Sequence, residues 1–126
     1  MSTRSLPKQI ALAYHRAWTS QDMDAAMKYV AEDVVCETPA GRLTGAAALR
    51  NFMSPFAETV TSTELLAAFG DEGTALVMYD AAKPAVVSAP AAELYQVRGG
   101  HITALRIVFD RLPFALARGE VVPRTR

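Results

Sequence analysis

An α+β fold, with helices first and an antiparallel sheet after them, is what the hydrophobic pattern of this 126-residue sequence predicts. Up to about residue 57 the apolar residues recur every three or four positions, the period of a helix face. Beyond it, four stretches rich in β-branched and aromatic residues alternate instead, and Gly99-Gly100 sits between two of them as a hairpin turn. Segregated helices and strands exclude the alternating order of a parallel α/β sheet.

Over 7–20, Ile10, Ala13, Tyr14, Ala17 and Trp18 form one helical face. Asp22 suits the N-cap of a second helix, with Met23, Ala26, Met27 and Val30 as its buried stripe. Val34 and Val35 read as a short strand that Pro39 and Gly41 end, with Thr38 at its last position. Thr44 and Gly45 introduce a third helix with Leu49, Phe52, Met53 and Phe56 inward and Pro55 near its close. Strands are expected near 59–69, 74–82, 91–98 and 102–109 as a meander, and 110–119 permits a short closing helix.

The length fits one domain over 1–126, in which folding buries roughly two-thirds of the unfolded surface. Thirteen Lys and Arg balance thirteen Asp and Glu, so no global field draws nucleic acid or anionic lipid, and neither is expected as a partner. Arg118, Arg124 and Arg126, interrupted by Glu120, read as a solvated tail. Cys36 has no second cysteine to bridge, no apolar run approaches a membrane span, and the opening residues lack a signal peptide's apolar stretch. A cytoplasmic location is therefore expected. His15, His101 and one cysteine make no recognisable zinc set, so no metal site is expected.

The order helix, helix, strand, helix, four strands resembles the cone-shaped α+β barrel of the nuclear transport factor 2-like superfamily. The runs from Tyr14 to Asp24 and from Val30 to Gly41, then Gly45 with 49–52, resemble its ketosteroid isomerase and SnoaL-like branch, and the likeness covers nearly the whole chain. The resemblance implies three helices packed on a curved, mainly antiparallel sheet around an apolar pocket, and no cofactor. It also implies site positions. Tyr14 falls at the isomerases' oxyanion-donating tyrosine and Glu93 near their protonated acid. Their base position reads Thr38, whose hydroxyl does not accept a proton near neutral pH as a carboxylate does. Glu37, next to it, points to the opposite face. In SnoaL-like polyketide cyclases an acid at the end of the last strand does the acid-base work, and Asp110 after Val108-Phe109 resembles it.

Each candidate has a plainer reading. Tyr14 and Trp18 share an apolar helix face and suit packing, with Trp18 also suited to a pocket wall. Glu93 shares strand parity with Tyr95 and Val97, so it faces inward if they do and then needs a proton or a partner such as Tyr14. Asp110 alternates with inward Leu105, Ile107 and Phe109, which turns it outward unless a bulge or the strand end swings it back, and it also suits capping. Asp80 reads as a rim acid or a solvated strand end, and His15 and His101 as a helix side position and a turn residue.

The expected function is acid-base isomerisation, cyclisation or dehydration of a small apolar carbonyl compound without a cofactor. Tyr14, Asp110 and Glu93 are its candidate catalytic residues, and Trp18, Thr38, Phe52, Phe56, Leu105 and Phe109 its candidate pocket walls. Thr38 favours the alternative, a ligand-binding or dimerisation module. Epoxide-hydrolase-like water addition would need an Asp, Arg, Asp network, and Asp80, Arg106 and Asp110 lack the parity for one. A homodimer through the sheet's outward face, with Gln96, Thr103 and Arg106 in contact, is expected because helices cover only one side.

Overall fold

The computed structural model describes residues 5–124, so Arg126 and the first residues of the opening segment lie outside the described residues. Ser5 caps α1 (Leu6–Thr19) by accepting the Lys8 N–H at 3.1 Å, and Pro7 suits the first turn, where an amide donor is not needed. The face that α1 buries is Pro7, Ala11, Tyr14, His15 and Trp18. Ile10, Ala13 and Ala17 flank it half-buried, and His15 is inside rather than on the helix side. The helix lies across the sheet, so its most buried line is rotated towards the strands from the most apolar one.

Asp22 caps α2 (Met23–Met27), its Oδ1 accepting the Ala25 N–H at 3.0 Å. Val30 does not continue that helix but opens β1 (Val30–Thr38), far longer than the expected strand at Val34-Val35. A further strand, β2 (Gly41–Thr44), pairs back onto β1 where only a helix approach was expected. Both differences follow from pairing: β1 is held between β2 and the last strand, and those distant backbone partners support residues of little strand propensity. The chain continues through α3 (Ala46–Thr59), β3 (Ser62–Gly70), β4 (Thr74–Ala82), β5 (Ala91–Arg98), β6 (His101–Phe109) and α4 (Leu112–Ala117). Gly99 and Gly100 take φ of 59° and 81° in the β5–β6 turn, the positive values a two-residue hairpin requires.

The sheet order is β2-β1-β6-β5-β4-β3, with β1 parallel to β6 and every other pair antiparallel. It is curved and mixed but not closed: β2 and β3 are edges, so the expected barrel is an open cone. Register shifts leave Leu66 of β3 and Thr103 of β6 as extra residues, and such bulges bend a sheet. Helices pack on the concave face over a core that includes Tyr14, Trp18, Leu49, Tyr95, Ile102 and Leu105. On the convex face Phe69, Leu76 and Leu94 lie in one cross-strand row, with Met78 and Val108 in the next, all exposed. No helix among the described residues is long and apolar enough to cross a membrane.

Candidate functional site

Regular alternation along β5 turns Ala91, Glu93, Tyr95 and Val97 inward. Glu93 stands between Val77 of β4 and Ile107 of β6 in the register, which makes Tyr79 its diagonal neighbour two residues along β4. The Tyr79 hydroxyl donates to Glu93 Oε2 at 2.9 Å, and the Tyr95 hydroxyl donates to Oε1. Glu93 is fully buried. Burial raises its pKa above the usual 4.5, while the two hydroxyl donors act against that rise by stabilising the carboxylate. Burial first, and the Glu93 charge second, push both tyrosines well above 10.0, so they stay protonated as donors.

Glu93 and Tyr79 border a cavity of about 270 Å³, near the lower end of small-molecule sites. Its walls are largely apolar: Phe52, Met53 and Phe56 from α3, Ala91 from β5, Ile107 and Phe109 from β6, and Phe114 from α4. Phe114 lies edge-on to Phe109 and Phe56 with ring centroids 5.6 and 6.2 Å apart, so α4 closes one side of the cavity. Exposed Pro55, Arg111 and Arg118 mark the open end, and Lys83 reaches it from beyond β4.

The structure thus brings together Glu93, Phe52, Phe56 and Phe109 of the expected site. It does not bring Tyr14, Trp18, Leu105, Thr38 or Asp110 to the cavity lining. Tyr14 is fully buried edge-on to Tyr95, at 6.0 Å between centroids, and it is Tyr79, not Tyr14, that partners the carboxyl. Trp18 packs behind the wall against Tyr79 and Phe56, at 5.4 and 5.8 Å. Leu105 shares the inward face of Ile107 and Phe109 but lies deeper, under the helices. Thr38 Oγ1 donates to the Gly41 carbonyl at 2.9 Å and accepts the Ala40 N–H at 3.1 Å, which organises the β1–β2 turn. Asp110 is exposed, and its Oδ1 accepts the Leu112 N–H at 2.9 Å at the start of α4. No bulge follows Phe109 to swing it inward.

Asp80, Arg106 and Asp110 do not meet. Arg106 is exposed on the convex face, and the Asp80 carboxylate accepts from Ser88 Oγ and the Ala89 N–H. Residues absent from the sequence reading are Tyr79, Lys83, Arg111 and Phe114. Tyr79 had a signal, because it shares β4 parity with Val77, opposite Glu93. Lys83, Arg111 and Phe114 had none, since loop and closing-helix placement is a tertiary matter. His15 packs on Tyr79 and Trp18 at 4.9 and 5.3 Å, and burial brings its pKa down to about 4. The Tyr14 hydroxyl, His15 Nδ1 and Trp18 Nε1 are buried without hydrogen-bond partners among the described residues.

Helices on the concave side of an open, bulged, mixed sheet, with a cavity between the helices and the strands, define a nuclear transport factor 2-like α+β protein. Residues 11–105 match the model of the SnoaL-like domain, and the chain belongs to that family. A crystal structure of a protein from Kribbella flavida is 53% identical, covers 94% of this chain and 97% of its own, and superposes with a TM-score of 0.88. A nuclear transport factor 2-like protein of unknown function from Cytophaga hutchinsonii is 22% identical over 90% of this chain and 98% of its own, with a TM-score of 0.73. An inferred polyketide cyclase from Sinorhizobium meliloti is 22% identical over 79% of this chain and 94% of its own, with a TM-score of 0.70. These last two are likenesses of fold alone. No curated protein matches the sequence significantly.

Proposed function

We propose that the cavity binds a small, largely apolar carbonyl compound and that Glu93 moves a proton on it without a cofactor. One observation carries this reading: among the described residues Glu93 is the only carboxyl in the cavity lining, buried yet held by two hydroxyl donors. A carboxyl with a raised pKa exchanges protons nearer neutral pH than a solvated one. As carboxylate, Glu93 takes a proton from the carbon beside the carbonyl, leaving an enolate. Where the substrate carries a double bond conjugated with that enolate, returning the proton to the far carbon of the dienolate completes an isomerisation, with no net gain or loss of atoms. Tyr79 and Tyr95 keep both oxygens oriented throughout. The inferred cyclase and a Rhodopseudomonas palustris structure described as an inferred isomerase support this class of chemistry by analogy of fold.

A non-catalytic binding module is favoured by a different observation, that both Glu93 oxygens already have tyrosine partners. Cyclic ketones offered in deuterated buffer separate the two readings. Exchange of α-hydrogens that Glu93→Gln lowers by 10²-fold or more, a scale set by general acid-base catalysis, supports proton transfer. Binding with the same exchange rate in both proteins would leave the binding module. Asp110→Asn serves as the comparison and should retain full exchange, because its carboxyl is engaged with Leu112 on the surface.

A further inference from the structure

Among the described residues three cationic side chains, Lys83, Arg111 and Arg118, stand around the cavity, and its one acid, Glu93, lies at the floor. This is a local asymmetry in a chain whose formal net charge is zero. Of the acids nearest these cations in sequence, two are engaged with other donors and the third neutralises Arg118, which leaves Lys83 and Arg111 as the uncompensated pair. Asp80 accepts from Ser88 and Ala89, Asp110 accepts from the Leu112 N–H, and Glu120 pairs with Arg118 Nε at 2.6 Å. Among the described residues neither Lys83 nor Arg111 has a carboxylate within ion-pair distance.

Lys83 is also held in place. Its N–H donates to the Val86 carbonyl at 2.8 Å, and the Val86 N–H donates back at 3.0 Å. Its Nζ lies 5.4 Å from the centroid of the Phe56 ring and 5.8 Å from that of Phe114. The ammonium therefore sits on the aromatic wall itself, half-buried, where its charge is less screened than on an open surface.

We infer that the ligand of this cavity is an amphipathic organic anion, a ring compound bearing a carboxylate. Its ring fills the space between Phe52, Phe56, Phe109 and Phe114, and its carboxylate lies at the mouth against Lys83 and Arg111. The polar end is thereby directed away from Glu93, which avoids setting two carboxylates side by side and leaves the ring carbonyl at the floor. This assignment rests on the ligand-pocket reading above and narrows it to one charge class.

The test compares 2-naphthoate with 2-naphthamide, which share a ring and differ in charge, by titration calorimetry against the wild type and a Lys83→Met, Arg111→Gln double variant. Binding of the carboxylate roughly tenfold tighter than the amide, as two partly screened charge contacts of about threefold each together give, is expected. The preference should shrink as salt rises and vanish in the double variant. Equal affinity for both probes in the wild type would overturn the anion assignment while leaving the ligand pocket intact. No binding of either probe would overturn both. Circular dichroism of the double variant confirms that any loss is not unfolding, and Lys83→Arg should retain the carboxylate preference.

Discussion

The Tyr79 hydroxyl donates to Glu93 Oε2 at 2.9 Å across adjacent strands, at the floor of the cavity. Because the bond stabilises the carboxylate, its removal in Tyr79→Phe raises the Glu93 pKa further. The protonated-carboxyl infrared band, assigned by difference against Glu93→Gln, should persist to higher pH in the variant. Stability should drop by about 1 kcal/mol near neutral pH, the usual worth of such a bond. A midpoint that stays put or falls would mean that the hydroxyl does not stabilise the charged form.

Stability should peak at intermediate pH, because two buried groups act in opposite directions. His15 is held at about 4 against an unfolded value of 6.5, so its contribution is present above 6.5 and lost as pH falls towards 4. That loss reaches at most about 3 kcal/mol. Glu93 is raised above 4.5, so its contribution is fully present below 4.5 and is lost as pH rises through its folded value. Urea unfolding across pH should show His15→Leu flattening the acid side and Glu93→Gln the alkaline side. Unchanged slopes in both variants would assign the pH dependence to other groups.

Tyr14→Phe should leave stability unchanged or raise it by up to about 1 kcal/mol, since it removes a buried hydroxyl that has no partner among the described residues. Thermal unfolding measures this. If the variant instead loses proton-exchange activity at full stability, Tyr14 contacts the ligand in the bound state and the oxyanion role implied by the family likeness returns.

Gly70→Ala should destabilise the protein by about 1–3 kcal/mol, the range for overpacking. A Cβ there would lie 2.5 Å from Ser5 Oγ and 2.8 Å from Lys8 Cβ, driving the start of α1 off the edge strand. Ser5→Ala should cost about 1 kcal/mol through the lost cap. In the double variant the two penalties should combine to less than their sum, because removing Oγ relieves part of the clash. Additive losses would show that the two sites do not meet.

The convex apolar rows through Leu76 and Leu94 form a contiguous patch of the kind that marks an interaction surface. A second copy covering this patch predicts a dimer in sedimentation at micromolar concentration, with Gln96, Thr103 and Arg106 nearby. Leu76→Glu should then give a folded monomer. A wild-type monomer at that concentration rules the dimer out.

Local patterning was enough to place α1, α3, the meander and the Gly99-Gly100 turn, because each rests on periodicity or on backbone freedom within a few residues. The inward direction of Glu93 was legible for the same reason, since alternation with Tyr95 and Val97 needs no distant partner. Tertiary structure alone decided the extent of β1, which depends on parallel pairing with β6, and the existence of β2. It also decided which side chains meet Glu93. Tyr14 and Tyr79 are both inward tyrosines, but the register of β4 against β5 brings Tyr79 within bonding distance while α1 leaves Tyr14 short of a partner. Asp110 falls on the legible side: its strand parity pointed outward, its place before the closing helix suited capping, and its carboxylate accepts the Leu112 N–H two residues on, a contact that needs no distant partner. Alternation and helical period act between near neighbours, whereas register, loop path and helix docking are set by contacts between residues far apart in the chain, which no local pattern encodes.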